Sequence, residues 1–194
     1  SFDVATSKFN DSYASSDQFE QLVDLATALE GVLIGENEGE GLTLRLCSRA
    51  AALLADDDDP GPVVFDDVNQ LYVLRSKLVH GGAISEKDLR KLFTRVSTVP
   101  DEDAERRFGV ALAHAVDRMR DLVRRAILAR LCLAESLEPQ WPFTGRTPVD
   151  AILADDAQRQ AWRTRWHDRL AELGAGQAAG RPRAAVDFIS PDDR

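Results

Sequence analysis

The chain has little cysteine, histidine or methionine: two, three and one in 194 residues. Each shortage closes off a class of function. Cys47 and Cys132 sit in apolar helical patterns without metal-ligand spacing, which points to buried free thiols in a reducing cytoplasm. His114 and His167 have no Cys, His or carboxylate companion at ligand spacing, so no metal site is expected and a structural or surface role is the default for both. No apolar run approaches the roughly 20 residues needed to span a bilayer, and no signal peptide is visible, so no membrane partner is expected. Walker-type and G-x-G-x-x-G loops and the serine elbow are absent, and no cofactor is expected. Positive charge is short as well. Lys and Arg number 24 against 33 Asp and Glu, for a net charge of −9 and a pI near 4.8. That balance speaks against a general nucleic-acid coat protein and leaves room for a local basic pocket.

Hydrophobic residues make up 44% of the chain, enough for a real core, and the length suits one domain. The start, "SFDVATSKF", lacks methionine and fits a trimmed chain or a piece of a longer protein. Strand alternation is scarce and helical periodicity dominates. Residues 17–34 place Phe19, Leu22, Val23, Ala26 and Leu33 on one face, with Asp17 and Glu20 at the start. A second helix over 42–55 turns Leu42, Leu46, Ala50 and Leu53 inward. "DDDDPGP" is a loop, because clustered carboxylates repel and Pro60 and Pro62 block continuation. A third helix covers about 63–80 and stops at Gly81-Gly82; Ser85 caps a short helix through Phe93. The longest helix is expected over 103–137, with Phe108, Leu112, Ala115, Met119, Leu122, Ala126, Ala129 and Leu133 as its seam. Helical signal returns over 147–173, and 174–194 reads as a flexible tail. The expectation is an all-α bundle forming one domain over 1–173, its core over about 17–137 and accessory helices over 147–173.

Two charges occupy unexpected places. At 100° per residue, Val68, Leu71, Arg75 and Leu78 fall within about 40° of Val64, so Arg75 is centred on the apolar stripe of the third helix. Glu30 falls within about 20° of Phe19, again mid-stripe. A lone buried charge is costly and is normally paired, so Glu30 and Arg75 are expected to meet, with Arg45 and Arg49 as competing partners for Glu30. His80 points about 140° away from Arg75 on a straight helix. Both can reach one phosphate only if the last turn unwinds or two chains share the site, which suggests a homodimer. Alone, His80 reads as ordinary helix termination, favoured by the dipole and followed by Gly.

The run Arg75-Ser76-Lys77-Leu78-Val79-His80 resembles the R-x4–6-H signature of the HEPN superfamily. The wider "LYVLRSKLVHGG", together with "LVDLATALEGVL" upstream, is similar to the Apea-like HEPN branch. The resemblance covers about residues 1–137. It implies a HEPN-type helical bundle that dimerises and, when active, acts as a metal-independent endoribonuclease in toxin–antitoxin, antiphage or RNA-processing settings. Arg75 and His80 would be the catalytic pair, Ser76 would stand where many relatives carry another polar residue, and Glu30 would match the family's upstream acidic position, with Tyr72 in support. RNA would be the substrate and an antitoxin or a larger defence assembly the further partner. The alternative is a non-catalytic HEPN module that dimerises or binds a partner or a nucleotide.

The chemistry is self-consistent. RNA supplies its own nucleophile, the 2′-hydroxyl, and a neutral-range histidine moves protons. A planar arginine fork stabilises charge on the phosphate oxygens, and Ser76 offers a further hydrogen bond. Arg118, Arg120, Arg124, Arg125 and Arg130 are candidates for guiding RNA. Residues 101–137 hold as many acidic as basic groups, however, so a solvated face with i,i+4 pairs is the default. Trp162 and Trp166 share a helical face and suggest packing before base stacking.

Overall fold

The structure, a computed structural model, describes residues 2–34, 41–79, 85–134 and 149–180, and within them every regular element is helical. The helices are α1 Phe2–Ala14, α2 Gln18–Leu33, α3 Leu42–Leu54, α4 Gly61–Val79, α5 Glu86–Phe93, α6 Asp101–Arg106, α7 Phe108–Ala134, α8 Val149–Ala154 and α9 Asp156–Glu172. The expected caps are present. Asp17 accepts from the Phe19 amide at the start of α2, and Ser85 accepts from the Asp88 amide at the start of α5. α1 packs on α2, α3 on α4, and α2 along α7; among the described residues α7 touches every other helix except α8. Its seam residues from Leu112 to Leu133 are buried as the periodicity predicts.

Three boundaries differ from expectation. The helix expected over 103–137 is broken at Arg107, whose backbone leaves the helical region at φ −123° and ψ 72°. Asp103 draws Arg107 to 2.6 Å, and Gly109 weakens helix propensity just beyond. Phe108 turns inward against Phe93, ring centroids 5.4 Å apart. The region 147–173 likewise divides at Asp155, which caps α9 through the Gln158 amide. Residues 174–180, read as the start of a tail, fold back instead: a 3-10 turn at Gly176–Ala179 buries Ala179, and Arg124 donates to the carbonyls of Ala178 and Gly180. Residues 181–194 lie outside the described residues.

Inward arginines hold the helix ends together. The last carbonyls of an α-helix lack intrahelical donors and carry negative partial charge. Arg130 donates to Gly31 and Val32 and Arg49 to Leu33, closing the end of α2. At the end of α3, Arg163 serves Ala51 and Ala52, Trp166 serves Leu53, and Arg125 serves Leu54. Arg49 also grips Asp150 of α8 with two bonds of 2.7 and 2.9 Å. The indole of Trp166 and that of Trp162 are buried, so both tryptophans pack the core.

The centre of the molecule holds an ionic network. Asp59, from the acidic loop, accepts two bonds from Arg118 at 2.9 and 2.8 Å and one from Arg125 at 2.7 Å. Arg118 reaches Asp67 of α4 at 2.7 Å, and Asp67 also takes the amide and hydroxyl of Ser97. Asp59, Asp67, Arg118 and Arg125 are all within 2% of full burial. These arginines are therefore neither RNA guides nor a solvated face. Arg130 is buried as well, while Arg120 and Arg124 reach the surface but are paired with Asp117 and Asp121.

Candidate active site

Glu30 belongs to the last turn of α2, where Arg49 and Arg130 hold the flanking carbonyls and so fix the helix end. Arg75 and Ser76 stand one turn before the end of α4, with Tyr72 one turn earlier. Arg75 Nη2 lies 3.8 Å from Glu30 Oε1. The two charges meet as the helical rotations require, and Arg45 and Arg49 do not compete: both are directed at Asp150. Depth differs from expectation. The Arg75 and Glu30 side chains keep 21% and 24% exposure, so the pair sits at the rim of the bundle rather than in its core. Rotation sets the direction of a side chain, and the position near two helix ends sets its depth.

Tyr72 is 8% exposed, and the Arg75 guanidinium carbon stands 5.7 Å from its ring centre. Burial first, then the adjoining Glu30 carboxylate, pushes the Tyr72 phenol up to about 12. The phenol therefore stays protonated at neutral pH and acts as a neutral polar wall. Ser76 is half-buried beside Arg75. His80 lies outside the described residues, and its distance to Arg75 is not part of this geometry.

The pairing of Arg75 sets it apart from the inner arginines. Arg49, Arg118 and Arg125 each hold carboxylate oxygens at 2.7–2.9 Å. The ion pair of Arg75 is longer than a hydrogen bond; Arg75 Nε and Glu30 Oε1 are buried atoms without a hydrogen-bond partner, as Arg125 Nε is within the inner network. The 3.8 Å contact leaves the Arg75 guanidinium less tightly held than those of the inner arginines. No family model, curated protein or solved structure matches this chain. The site must therefore be judged on its own chemistry.

The remaining candidates serve other ends. His114 is 40% exposed and lies 3.4 Å from Asp103. Among the described residues no group of three His, Cys, Asp or Glu side chains is arranged to hold a metal, and no helix is long and apolar enough to cross a membrane. Cys47 and Cys132 are buried and outside any disulfide, and burial raises Cys47 to about 11. A cleft of about 770 Å³ opens between the Asp56–Gly61 loop and α9, where sequence reasoning expected nothing. It shares no lining residue with Glu30 or Arg75, and its Arg163 already serves the α3 carbonyls.

His167 lines that cleft with Nε2 buried and unpartnered. Burial is the main cause that holds it below the ordinary histidine range, outweighing Asp56 and Asp168. The unfolded chain therefore binds a proton more readily than the folded one, and stability should fall as pH drops below about 6.5, levelling off at the lower folded value. Urea midpoints at pH 7.5 and 5.5 should differ in the native chain, and His167→Gln should shrink that difference. An unchanged difference in the variant would assign the effect elsewhere.

Proposed function

We propose that the chain is a metal-independent endoribonuclease of HEPN type, acting in a defence, toxin or RNA-processing setting. The observation that supports this reading is the loosely held Arg75, half-buried with hydrogen-bonding capacity to spare. A phosphate diester offers two non-bridging oxygens, the geometry a guanidinium fork binds best. In the proposed reaction the RNA 2′-oxygen attacks the adjacent phosphorus and the bond to the 5′-oxygen breaks. His80 exchanges protons with these oxygens, Arg75 stabilises the charge gathering on the phosphate, and Ser76 adds a hydrogen bond. Glu30 orients Arg75 from behind, and Tyr72 walls the guanidinium. The products are a 2′,3′-cyclic phosphate and a 5′-hydroxyl. Incubating the pure chain with RNA in EDTA and identifying the ends tests the reading; metal-dependent cleavage or other ends would sink it.

The same reading calls for a homodimer. On a straight helix Arg75 and His80 would point about 140° apart, so a single phosphate is reached either by unwinding of the turn or by a second α4 end brought alongside, and we favour the second. Light scattering at micromolar concentration should give about twice the 21.4 kDa of one chain. A monomer under those conditions would remove the shared-site argument. The alternative, a non-catalytic HEPN module that dimerises or binds a partner or a nucleotide, draws on how much of Arg75 is covered. It stands if folded, dimeric protein cleaves no RNA.

A further inference from the structure

The cleft beside α9 is built on two neighbouring ridges of that helix. Arg159, Arg163 and His167, four residues apart and half-buried, form the inner wall, while the exposed Gln160, Thr164 and Asp168 form the rim. Ala51, Ala52 and Ala55 make an apolar floor, and the loop from Asp56 to Gly61 closes the opposite side. A volume of about 770 Å³ lies in the range of small-molecule sites.

The charges of the cleft are laid out along one direction. Arg163 donates from Nε to the Ala52 carbonyl at 2.6 Å and from Nη2 to the Ala51 carbonyl at 2.9 Å. Two bonds to helix carbonyls fix the guanidinium plane, and Nη1 has no acceptor among the described residues. Arg159 is occupied by the Asp156 carboxylate and the Leu153 carbonyl and lends only its field. The next contact between the two helices, Trp166 to the Leu53 carbonyl, shows that α3 and α9 advance together. The loop that follows α3 therefore meets the cleft near His167 and Asp168, and Asp56 is one of the charges acting on the His167 ring. Asp56 itself is engaged: it accepts from the amides of Asp58 and Asp59 and stands 3.8 Å from Arg125. Asp57 and Asp168 are exposed and have no ion pair among the described residues.

One end of the cleft thus offers a positioned N–H donor edge, and the other offers two unpaired carboxylates. Between them stand the Thr164 hydroxyl and the His167 ring, which burial keeps neutral at pH 7. From Arg163 to Asp168 the helix rises about 7.5 Å. A free α-amino acid carries its carboxylate and ammonium on one carbon and does not reach both ends. Two or three extended residues, about 7–10 Å long, do.

We propose that this cleft binds a free peptide of two or three residues, with its carboxylate on Arg163 and its ammonium between Asp57 and Asp168. Its apolar side chains lie on the alanine floor. The site is separate from Arg75 and does not depend on the nuclease reading.

Calorimetric titration of the full chain with the tripeptide alanyl-leucyl-alanine at neutral pH should show one saturable site. The N-acetyl and C-terminal amide forms of the tripeptide each lack one charge. Both should bind at least tenfold more weakly, the worth of a charge-assisted hydrogen bond. L-Leucine, which has both charges without the spacing, should be weaker by a similar factor. Asp57→Asn with Asp168→Asn should cost the tripeptide at least tenfold and abolish its advantage over the N-acetyl form. Both residues are exposed and unpaired, so circular dichroism should show an unchanged fold. Asp58→Asn, an exposed change outside the cleft lining, should have no effect. The absence of saturable heat from the tripeptide at millimolar concentration would overturn the site. Equal binding of the N-acetyl or amide form would overturn the zwitterion, as would undiminished binding in the double variant. L-Leucine binding as tightly as the tripeptide would overturn the peptide in favour of a free amino acid.

Discussion

Asp59→Ala should remove about 3–5 kcal/mol of folding stability, the range for orphaning a buried charge. Asp58→Ala, one residue away in the same acidic run, should change it by less than about 0.5 kcal/mol, as an exposed substitution does. The contrast follows from burial and bonding. Asp59 is 0% exposed and accepts from both Arg118 and Arg125, whereas Asp58 faces solvent. Removing the Asp59 carboxylate leaves two guanidinium groups in the interior, Arg118 with Asp67 and Asp121, and Arg125 with Asp121, the Leu54 carbonyl and Asp56 at 3.8 Å. Urea unfolding at neutral pH measures both variants. A loss below about 1 kcal/mol for Asp59→Ala would mean that water or a shift of α7 compensates the arginines, contrary to the closed network described here. Burial alone would raise the Asp59 pKa, yet Arg118 and Arg125 hold it below the usual carboxylate range. Its contribution is thus present above the unfolded value near 4 and is lost as pH falls through the lower folded one. Glu30→Ala should cost far less, about 1 kcal/mol or under, because its pair with Arg75 is long and reaches solvent.

Much of the bundle was legible in the sequence because caps and periodicity agree. Asp17, Ser85 and the Leu112–Leu133 seam each mark a helix by a local rule that tertiary structure leaves intact. The break at Arg107 was not, since it depends on Asp103 and on where Phe108 finds its aromatic neighbours. α1 was also missed; its apolar residues Phe2, Ala5 and Phe9 form too short a stripe to stand out from the polar residues between them. The ionic centre was missed for a different reason. On α7, Arg118 and Arg125 fall within about 60° of Leu122, the same kind of placement that exposed Arg75 on α4. Equal counts of acid and base along the helix hid this signal, because a count ignores direction. Which of the four aspartates turns inward could not be read at all, since it depends on how the loop meets α7. For the candidate site, the partnership of Glu30 with Arg75 was legible and its depth was not.

Arg75→Lys should abolish most RNA cleavage although it keeps the charge. An ammonium cannot reproduce the bidentate fork on two phosphate oxygens, and it cannot lie across the Tyr72 ring while still reaching toward Glu30 in the same way. His80→Ala should slow cleavage by roughly 10²–10⁴, the usual worth of a positioned general acid or base. The two variants distinguish roles through pH. Loss of the proton-transfer group should flatten the rate–pH profile between about 6 and 8, where an ordinary histidine titrates; loss of the fork should lower the whole profile and leave its shape. Circular dichroism and a urea midpoint must first show that each variant folds, because Arg75 also contacts α2 through Glu30. DNA of the same sequence should survive, for lack of the 2′-hydroxyl. Full activity in folded His80→Ala would refute the proposed chemistry, and full activity in Arg75→Lys would reduce the arginine to a simple counter-charge.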